Sequence, residues 1–413
     1  MVLLMCGASG MAVEPVMETR RSRKPNNLGP PPCVAIILRP LASLAWAVAR
    51  AYVPAMTDMT VAGPTGLTTT ATPVTDRSAR RAVAWWLLSV AALVALMVVV
   101  GGVTRLTESG LSIVYWKPVS GILPPLTAEA WQEEFALYRT SPEYMIVNTG
   151  MSLAEFKTIY WWEYGHRLLG RLIGVAFAVP LGIFALRRRV PAGYGLRLLG
   201  LLALGSFQGL LGWYMVQSGL VDEPEVSQYR LAAHFMLAMA IFSLLVWTAL
   251  DLLSGRGAGD GPLAGRLAWG LLGLTVLQLT LGAFVAGMKA GLVYNSWPLM
   301  GSGILPPDLW QLEPLWLNLT ENRVTVQFLH RMSGYALVLA ALGAAVWLYS
   351  RGTPSRHLAA ALAGACLVQM TLGIATLLAY VPVGLGAAHQ AGGVAVLTLS
   401  VVFLHRARAS GFQ

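Results

Sequence analysis

Four stretches free of Asp, Glu, Lys and Arg, Ala82 to Gly102, Leu198 to Val221, Leu231 to Leu250 and Leu267 to Met288, each reach the ~20 residues that cross a hydrocarbon core as helix. Such runs direct the chain into a bilayer, where backbone polar groups must be satisfied internally. Four further spans carry polar residues within or beside apolar runs, at about Trp162 to Leu186, Val324 to Ser350, Leu358 to Tyr380 and Val383 to Leu404. The last two are separated by Tyr380-Val381-Pro382-Val383-Gly384, where Pro and Gly make a turn between antiparallel helices the simplest reading. One long kinked helix there would far exceed a bilayer thickness. The expectation is an all-α integral membrane protein with eight transmembrane helices. With 56% hydrophobic and 12% charged residues, the chain is too apolar to fold in water with its charges outside.

Arg and Lys are retained on the cytoplasmic side of short loops. Arg77, Arg80 and Arg81 precede the first span, Arg187, Arg188, Arg189 and Arg197 separate the second and third, and Arg256 and Arg266 separate the fourth and fifth. Arg351 and Arg356 follow the sixth, and Arg406 and Arg408 the last, so all fall on one face, read as cytoplasmic with both termini. The opposite loops hold acids such as Glu129, Glu133, Glu134, Asp222, Glu223, Glu225, Asp308 and Glu313. The net charge of +10 thus reflects topology, and no nucleic-acid partner is inferred from it.

Residues 1–76 differ in character, being rich in Arg, Pro, Thr and small residues without sustained periodicity, and read as a disordered extension. The apolar patch from Cys33 to Val48 is broken by Arg39 and Pro40 and is too short to span. Residues 77–254 and 255–413 form two halves. Cys6, Cys33 and Cys366 give no disulfide framework.

The halves repeat one another in order. Ser120-Gly121-Ile122-Leu123-Pro124-Pro125 recurs as Ser302-Gly303-Ile304-Leu305-Pro306-Pro307, and His166-Arg167-x-x-Gly170 as His330-Arg331-x-x-Gly334. Gln208-x-x-Leu211-Gly212 recurs as Gln369-x-x-Leu372-Gly373, and Ala232-Ala233-His234 as Ala387-Ala388-His389. An even number of helices per repeat brings the second half in from the same side. The architecture expected is two pseudo-symmetric four-helix bundles related by an axis along the membrane normal. The long outer connections, roughly 105–160 and 289–322, should cap them.

His166, His234, His330 and His389 lie near the outer starts of the even-numbered spans, at one depth. A lone membrane histidine is commonly interhelical hydrogen-bonding glue. Two symmetric pairs point further, because ionisable residues in spans are costly and imidazole is a strong axial ligand for heme iron. A four-helix bundle offers an apolar slot for a flat macrocycle. His166 with His234, and His330 with His389, would each hold one heme iron. Arg167 and Arg331 directly follow a ligand and could pair with heme propionates, or else snorkel to the interface. Zinc or copper would need more ligands close together than either half offers. His357 and His405, beside Arg residues at cytoplasmic helix ends, are left as interfacial groups.

Departures from the repeat should locate chemistry. Glu163, three residues before His166, shares its helix face one turn outward, whereas the equivalent residue in the second half is Gln327. Ser152-x-x-Glu155 reads as a capping box starting the helix that carries it. Glu163 could accept a proton or stabilise positive charge at a heme substituent. It could also form an i,i+4 salt bridge with Arg167, and both can hold.

At these residues the chain resembles the heme A synthase family of mitochondria and many Gram-negative bacteria, from about Ala82 to Arg408. The motifs are Gly101-Gly102-Val103-Thr104-Arg105-Leu106-Thr107-x-Ser109-Gly110-Leu111-Ser112, Glu155-Phe156-Lys157-x-Ile159-Tyr160-x-x-Glu163-Tyr164-x-His166-Arg167 and Gln208-Gly209-x-Leu211-Gly212-Trp213-x-Met215-Val216-x-Ser218-Gly219-Leu220. The resemblance implies oxidation of the C8 methyl of heme O to a formyl group through an alcohol and a geminal diol, giving heme A for terminal oxidases. It implies heme O at His166 and His234, and a permanent heme b at His330 and His389. A bacterial inner membrane is the expected location, with the mitochondrial inner membrane as the alternative. Heme O synthase, an electron acceptor and further copies of the chain are partners compatible with that role. The cysteine pair that some members carry in the first external loop is absent. Two other readings remain: a diheme b-type electron-transfer cytochrome, for which a carboxylate in one bundle only would have no use, and a transporter, for which charged or broken helices near the midplane would be expected.

Overall fold

The computed structural model describes residues 74–117, 120–220, 224–254 and 259–408. The N-terminal extension, with Cys6 and Cys33, and the acids Asp222 and Glu223 lie outside the described residues.

Ten α-helices are described. Eight are long and apolar enough to cross a membrane: α1 (Val74–Leu106), α4 (Leu153–Leu186), α5 (Gly195–Gln217), α6 (Gln228–Leu253), α7 (Pro262–Gly287), α8 (Arg323–Ser350), α9 (Arg356–Leu378) and α10 (Val383–Ala407). Two short ones, α2 (Ala128–Tyr138) and α3 (Pro142–Ile146), lie between the first two spans. The chain is a multi-pass membrane protein.

Local sequence sets the helix ends. Ser152 and Glu155 form the reciprocal capping box of α4, and the Asn322 side chain accepts from the Val324 and Thr325 amides at the start of α8. Pro262 opens α7, where the N–H it lacks has no helical acceptor. Tyr380 and Val381 take positive φ between α9 and α10, making the tight turn that Pro382 and Gly384 suggested.

In the first half each span packs on the next and α6 closes on α1; in the second, α7 to α10 close in the same order. Across the middle α1 meets α10, α6 meets α7, and α6 meets α10. Exchanging α1, α4, α5 and α6 with α7, α8, α9 and α10 leaves this neighbour pattern unchanged, which fits two bundles about a central pseudo-twofold. Gln390 donates to the Val98 carbonyl at 2.8 Å and fastens α10 to α1.

The apolar core sits at the end of each bundle away from the outer caps. In the first it runs over Val83 to Val98, Phe177, Leu181 and Met239 to Leu252, and in the second over Leu337 to Leu348, Ala359 to Cys366 and Val396 to Ala407. At that end Asp251 binds Arg197 at 2.6 Å and His405 at 3.0 Å, and its carbonyl accepts from Arg80, tying α1, α5, α6 and α10 together. Both of these clusters start beyond the histidines of their helices, so the histidines lie between this core and the caps. Outward residues such as Val175, Val179, Leu339 and Val346 are exposed apolar side chains on faces that meet lipid.

The first cap is aromatic. Trp131, Phe135 and Tyr138 of α2 pack on Phe156, Tyr160 and Tyr164, which line the early turns of α4. Full burial of Phe156 contributes roughly 1.5–3 kcal/mol. The second cap is built on Asn318, whose side chain bonds the Leu312 amide and carbonyl and the Leu315 carbonyl.

Candidate functional site

His234, His330 and His389 fall in the second turn of α6, α8 and α10, whereas His166 sits deeper along α4 because that helix starts earlier, at its capping box. The His330 and His389 rings lie 6.5 Å apart between centroids and nearly perpendicular. Two imidazoles bound to opposite sides of one metal need roughly 6 Å, from two metal–nitrogen bonds of about 2 Å and half a ring on each side.

A glycine on the preceding span backs every ring. A Cβ at Gly101 would stand 3.0 Å from the His166 ring, at Gly212 2.8 Å from His234, at Gly282 3.1 Å from His330 and at Gly373 2.8 Å from His389. Each ring comes so close to the preceding span that only the missing side chain of glycine leaves room for it. One turn before three of these glycines stands a glutamine. Gln208 Nε2 lies 3.2 Å from His234 Nδ1 and donates to the His234 carbonyl at 3.0 Å. Gln369 Nε2 lies 3.1 Å from His389 Nδ1 and 2.7 Å from the His389 carbonyl, and Gln278 Nε2 lies 3.4 Å from His330 Nε2. The His330 Nδ1 and the Gln208 and Gln369 Oε1 atoms are buried without partners. Unpaired imidazole nitrogen in a slot with glycine walls suits a flat group that offers a metal and little else polar.

Glu163 is buried under the first cap. Its Oε1 accepts from Arg167 at 2.5 Å, and its Oε2 accepts from the Ser112 hydroxyl at 2.7 Å and the Ile113 amide at 2.8 Å. The i,i+4 salt bridge forms, and the carboxylate also pins the chain that leaves α1. Gln327 does the corresponding task with opposite polarity, donating to the Tyr294 carbonyl at 3.1 Å. Arg167 and Arg331 likewise reach loop carbonyls, Arg167 that of Ile113 at 2.9 Å and Arg331 those of Tyr294 at 2.8 Å and Ser296 at 2.9 Å. His405 pairs with Asp251, and the His357 Nδ1 lies 2.9 Å from the Tyr349 hydroxyl, so both stay outside the slots.

Sequence reading quoted Gln208 and Gln369 in the repeat without giving them a task, and passed over Gln278 and Glu143. The glutamines had a signal in the thrice-repeated Gln-x-x-x-Gly at Gln208, Gln278 and Gln369. Glu143, buried in the first cap beside Tyr138, had none. Burial pushes its carboxyl up to about 8, and the Glu163 and Glu108 carboxylates add to the rise.

Eight spans with an internal repeat, and with His330 and His389 brought face to face in the second half, define a multi-pass membrane protein with a histidine-lined slot. The profile of a family described as Cytochrome oxidase assembly protein matches residues 84–401. A protein named Heme A synthase from Parvibaculum lavamentivorans is 55% identical over 325 residues, covering 79% of this chain and 94% of that protein. Proteins of the same name from Bradyrhizobium sp. strain BTAi1 and Nitrosospira multiformis are each 50% identical, covering 82% and 80% of this chain and 94% of their own lengths. The chain belongs to the heme A synthase family.

Proposed function

We propose that this enzyme is a heme A synthase, oxidising the C8 methyl of heme O to a formyl group in the membrane. The relatives' names support the reaction, and the observation that carries the sites is the pairing of histidines against glycine walls. In this reading His330 and His389 hold a resident heme b, whose 6.5 Å ring spacing suits one iron, and His166 and His234 bind the substrate. Heme iron supplies the oxidation–reduction chemistry when bound. Arg167 and Arg331, at the outer rim, would pair with propionates while keeping their loop carbonyls.

Glu163 gives the first bundle its reactive character. Its Oε2 is the proton-accepting atom of the proposal, and Ser112 and Arg167 orient the carboxylate. In the second half Gln327 and Val293 replace Glu163 and Ser112, leaving no acid there. Both termini would face the cytoplasm, with the reaction on the outer side.

The test supplies purified protein with heme O and follows heme A and its alcohol intermediate by extraction and mass analysis. The Glu163→Gln variant, isosteric and already tolerated as Gln327 in the other half, should keep both hemes and lose on the order of 100-fold or more in product formation. Full turnover by the variant removes the role of Glu163. Two hemes that stay chemically unchanged in the wild type would make the protein an electron carrier.

A further inference from the structure

Three of the four histidines have a glutamine from the preceding span against the ring, and the fourth does not. The residue one turn before Gly101 is Met97, where the other three spans carry Gln208, Gln278 and Gln369. The replacement is spatial as well as sequential. A Cβ at Gly170 would meet Met97 Cε at 3.3 Å, and one at the equivalent Gly334 would meet Gln278 Nε2 at 3.2 Å, so the two side-chain ends occupy the same place. The second half also puts Ser333 there, its hydroxyl donating to Gln278 Oε1, and the equivalent residue beside His166 is Leu169. Among the described residues no hydrogen bond reaches the His166 ring.

We propose that Met97 and Leu169 make His166 the one exchangeable ligand, so that the first bundle releases its heme while the second, with Gln278 and Ser333 on the matching histidine, retains its own. The inference rests on the heme-binding reading above and adds how substrate and resident heme are told apart. With iron on one ring nitrogen the other carries N–H, so the Gln278 amide would present Oε1 to that N–H while its own N–H turns to the Ser333 hydroxyl. An acceptor placed there fixes the ligand's tautomer and orientation and raises its basicity. Without it the ring can turn off the iron at little cost. The packing of the helices agrees: α4, which carries His166, touches α5 sparingly, whereas α8, which carries His330, packs closely on α9. Gln278 is thus a positioning residue that acts through His330.

The experiment transplants the hydrogen-bonding pair in both directions in the full-length protein. Wild type, Met97→Gln, Met97→Gln/Leu169→Ser and the reciprocal Gln278→Met/Ser333→Leu are loaded with heme O and mixed with excess heme-free globin. Heme O and heme b remaining on the protein are then measured against time by extraction and mass analysis. The first-half variants should lose heme O about tenfold more slowly than wild type, with loss of heme b unchanged. Their ferric low-spin signature should move toward that of the second bundle. The reciprocal variant should lose heme b about tenfold faster. Slower release is a gain that a damaged fold does not produce, and the single Met97→Gln change gives an independent reading. Heme O loss at or above the wild-type rate in both first-half variants overturns the proposal. If instead the wild type holds no heme O through His166 and His234, the heme-binding reading fails with it.

Discussion

The two halves share a frame and differ in where they keep their polar groups. In the second, polarity surrounds the ligand: Gln278 and Ser333 stand against His330, and the roof above is the neutral pair Gln327 and Val293. In the first, the surroundings of His166 are apolar, through Met97 and Leu169, and the polar groups have moved to the roof as Glu163 and Ser112, under an arginine, Arg167 or Arg331, that both halves keep. Groups bonded to a ligand hold it still, whereas an acid set above a ligand can act on what the ligand binds. Under the heme-binding reading proposed above, this redistribution would give one repeated scaffold a keeping half and a working half.

The comparison is broken most directly at the histidines. On the proposed assignment, His330→Ala should remove almost all of the heme b from purified protein, because it deletes the proposed ligand against which Gly282 and Gln278 both stand. His166→Ala should leave heme b in place and abolish retention of added heme O. The check is heme content per polypeptide after extraction. Unchanged heme b after loss of His330 would end the division of labour between the halves.

The two layers of the structure were legible in the sequence to different degrees. Eight spans follow from hydropathy alone, since a bilayer enforces helix length and internal hydrogen bonding. The start of the second span needed a local signal as well: hydropathy begins it near Trp162, whereas α4 begins at Leu153, where the capping box read at Ser152 and Glu155 starts it and the aromatic cap holds its first turns. The repeat displayed the histidines, Glu163 and Gln327 as equivalent positions. The glutamines were written in the chain as well, but a Gln in an apolar helix has no assigned direction until a neighbouring helix supplies the partner. Glu143 was illegible for a stronger reason. Its burial comes from α2 and α3 folding onto α4, a contact that no local pattern announces.

A finer cut goes through the glycine walls. Gly212→Ala and Gly373→Ala would each place a Cβ 2.8 Å from a histidine ring, so both should displace the ring and cost about 1–3 kcal/mol in stability. Gly209, one turn along α5 with nothing within 4 Å of its would-be Cβ, is the control: Gly209→Ala should be neutral or stabilising by up to about 1 kcal/mol. Thermal unfolding in detergent measures both. If Gly373→Ala also lowers bound heme b, while Gly212→Ala affects only added heme O, the symmetry of the walls and the asymmetry of their occupants are separated in one series.

The smallest expected effect lies in the caps. Glu143 is buried with its Oε2 unpartnered, and the groups that bear on it are Tyr138, the Glu163 and Glu108 carboxylates and Lys289, which is itself paired with Glu108 at 2.6 Å. Its carboxyl, lifted to about 8, binds a proton more tightly folded than unfolded. A group of that kind contributes its full stability below the ordinary carboxylate range, and the contribution is lost as pH rises through about 8. The second cap, resting on the amide of Asn318, has no such group at its centre. Limited proteolysis across neutral to alkaline pH should therefore cut the first cap faster as pH rises and leave the second unchanged. Glu143→Gln should flatten the first profile, since an amide at that position keeps its hydrogen-bonding capacity and has no proton to lose.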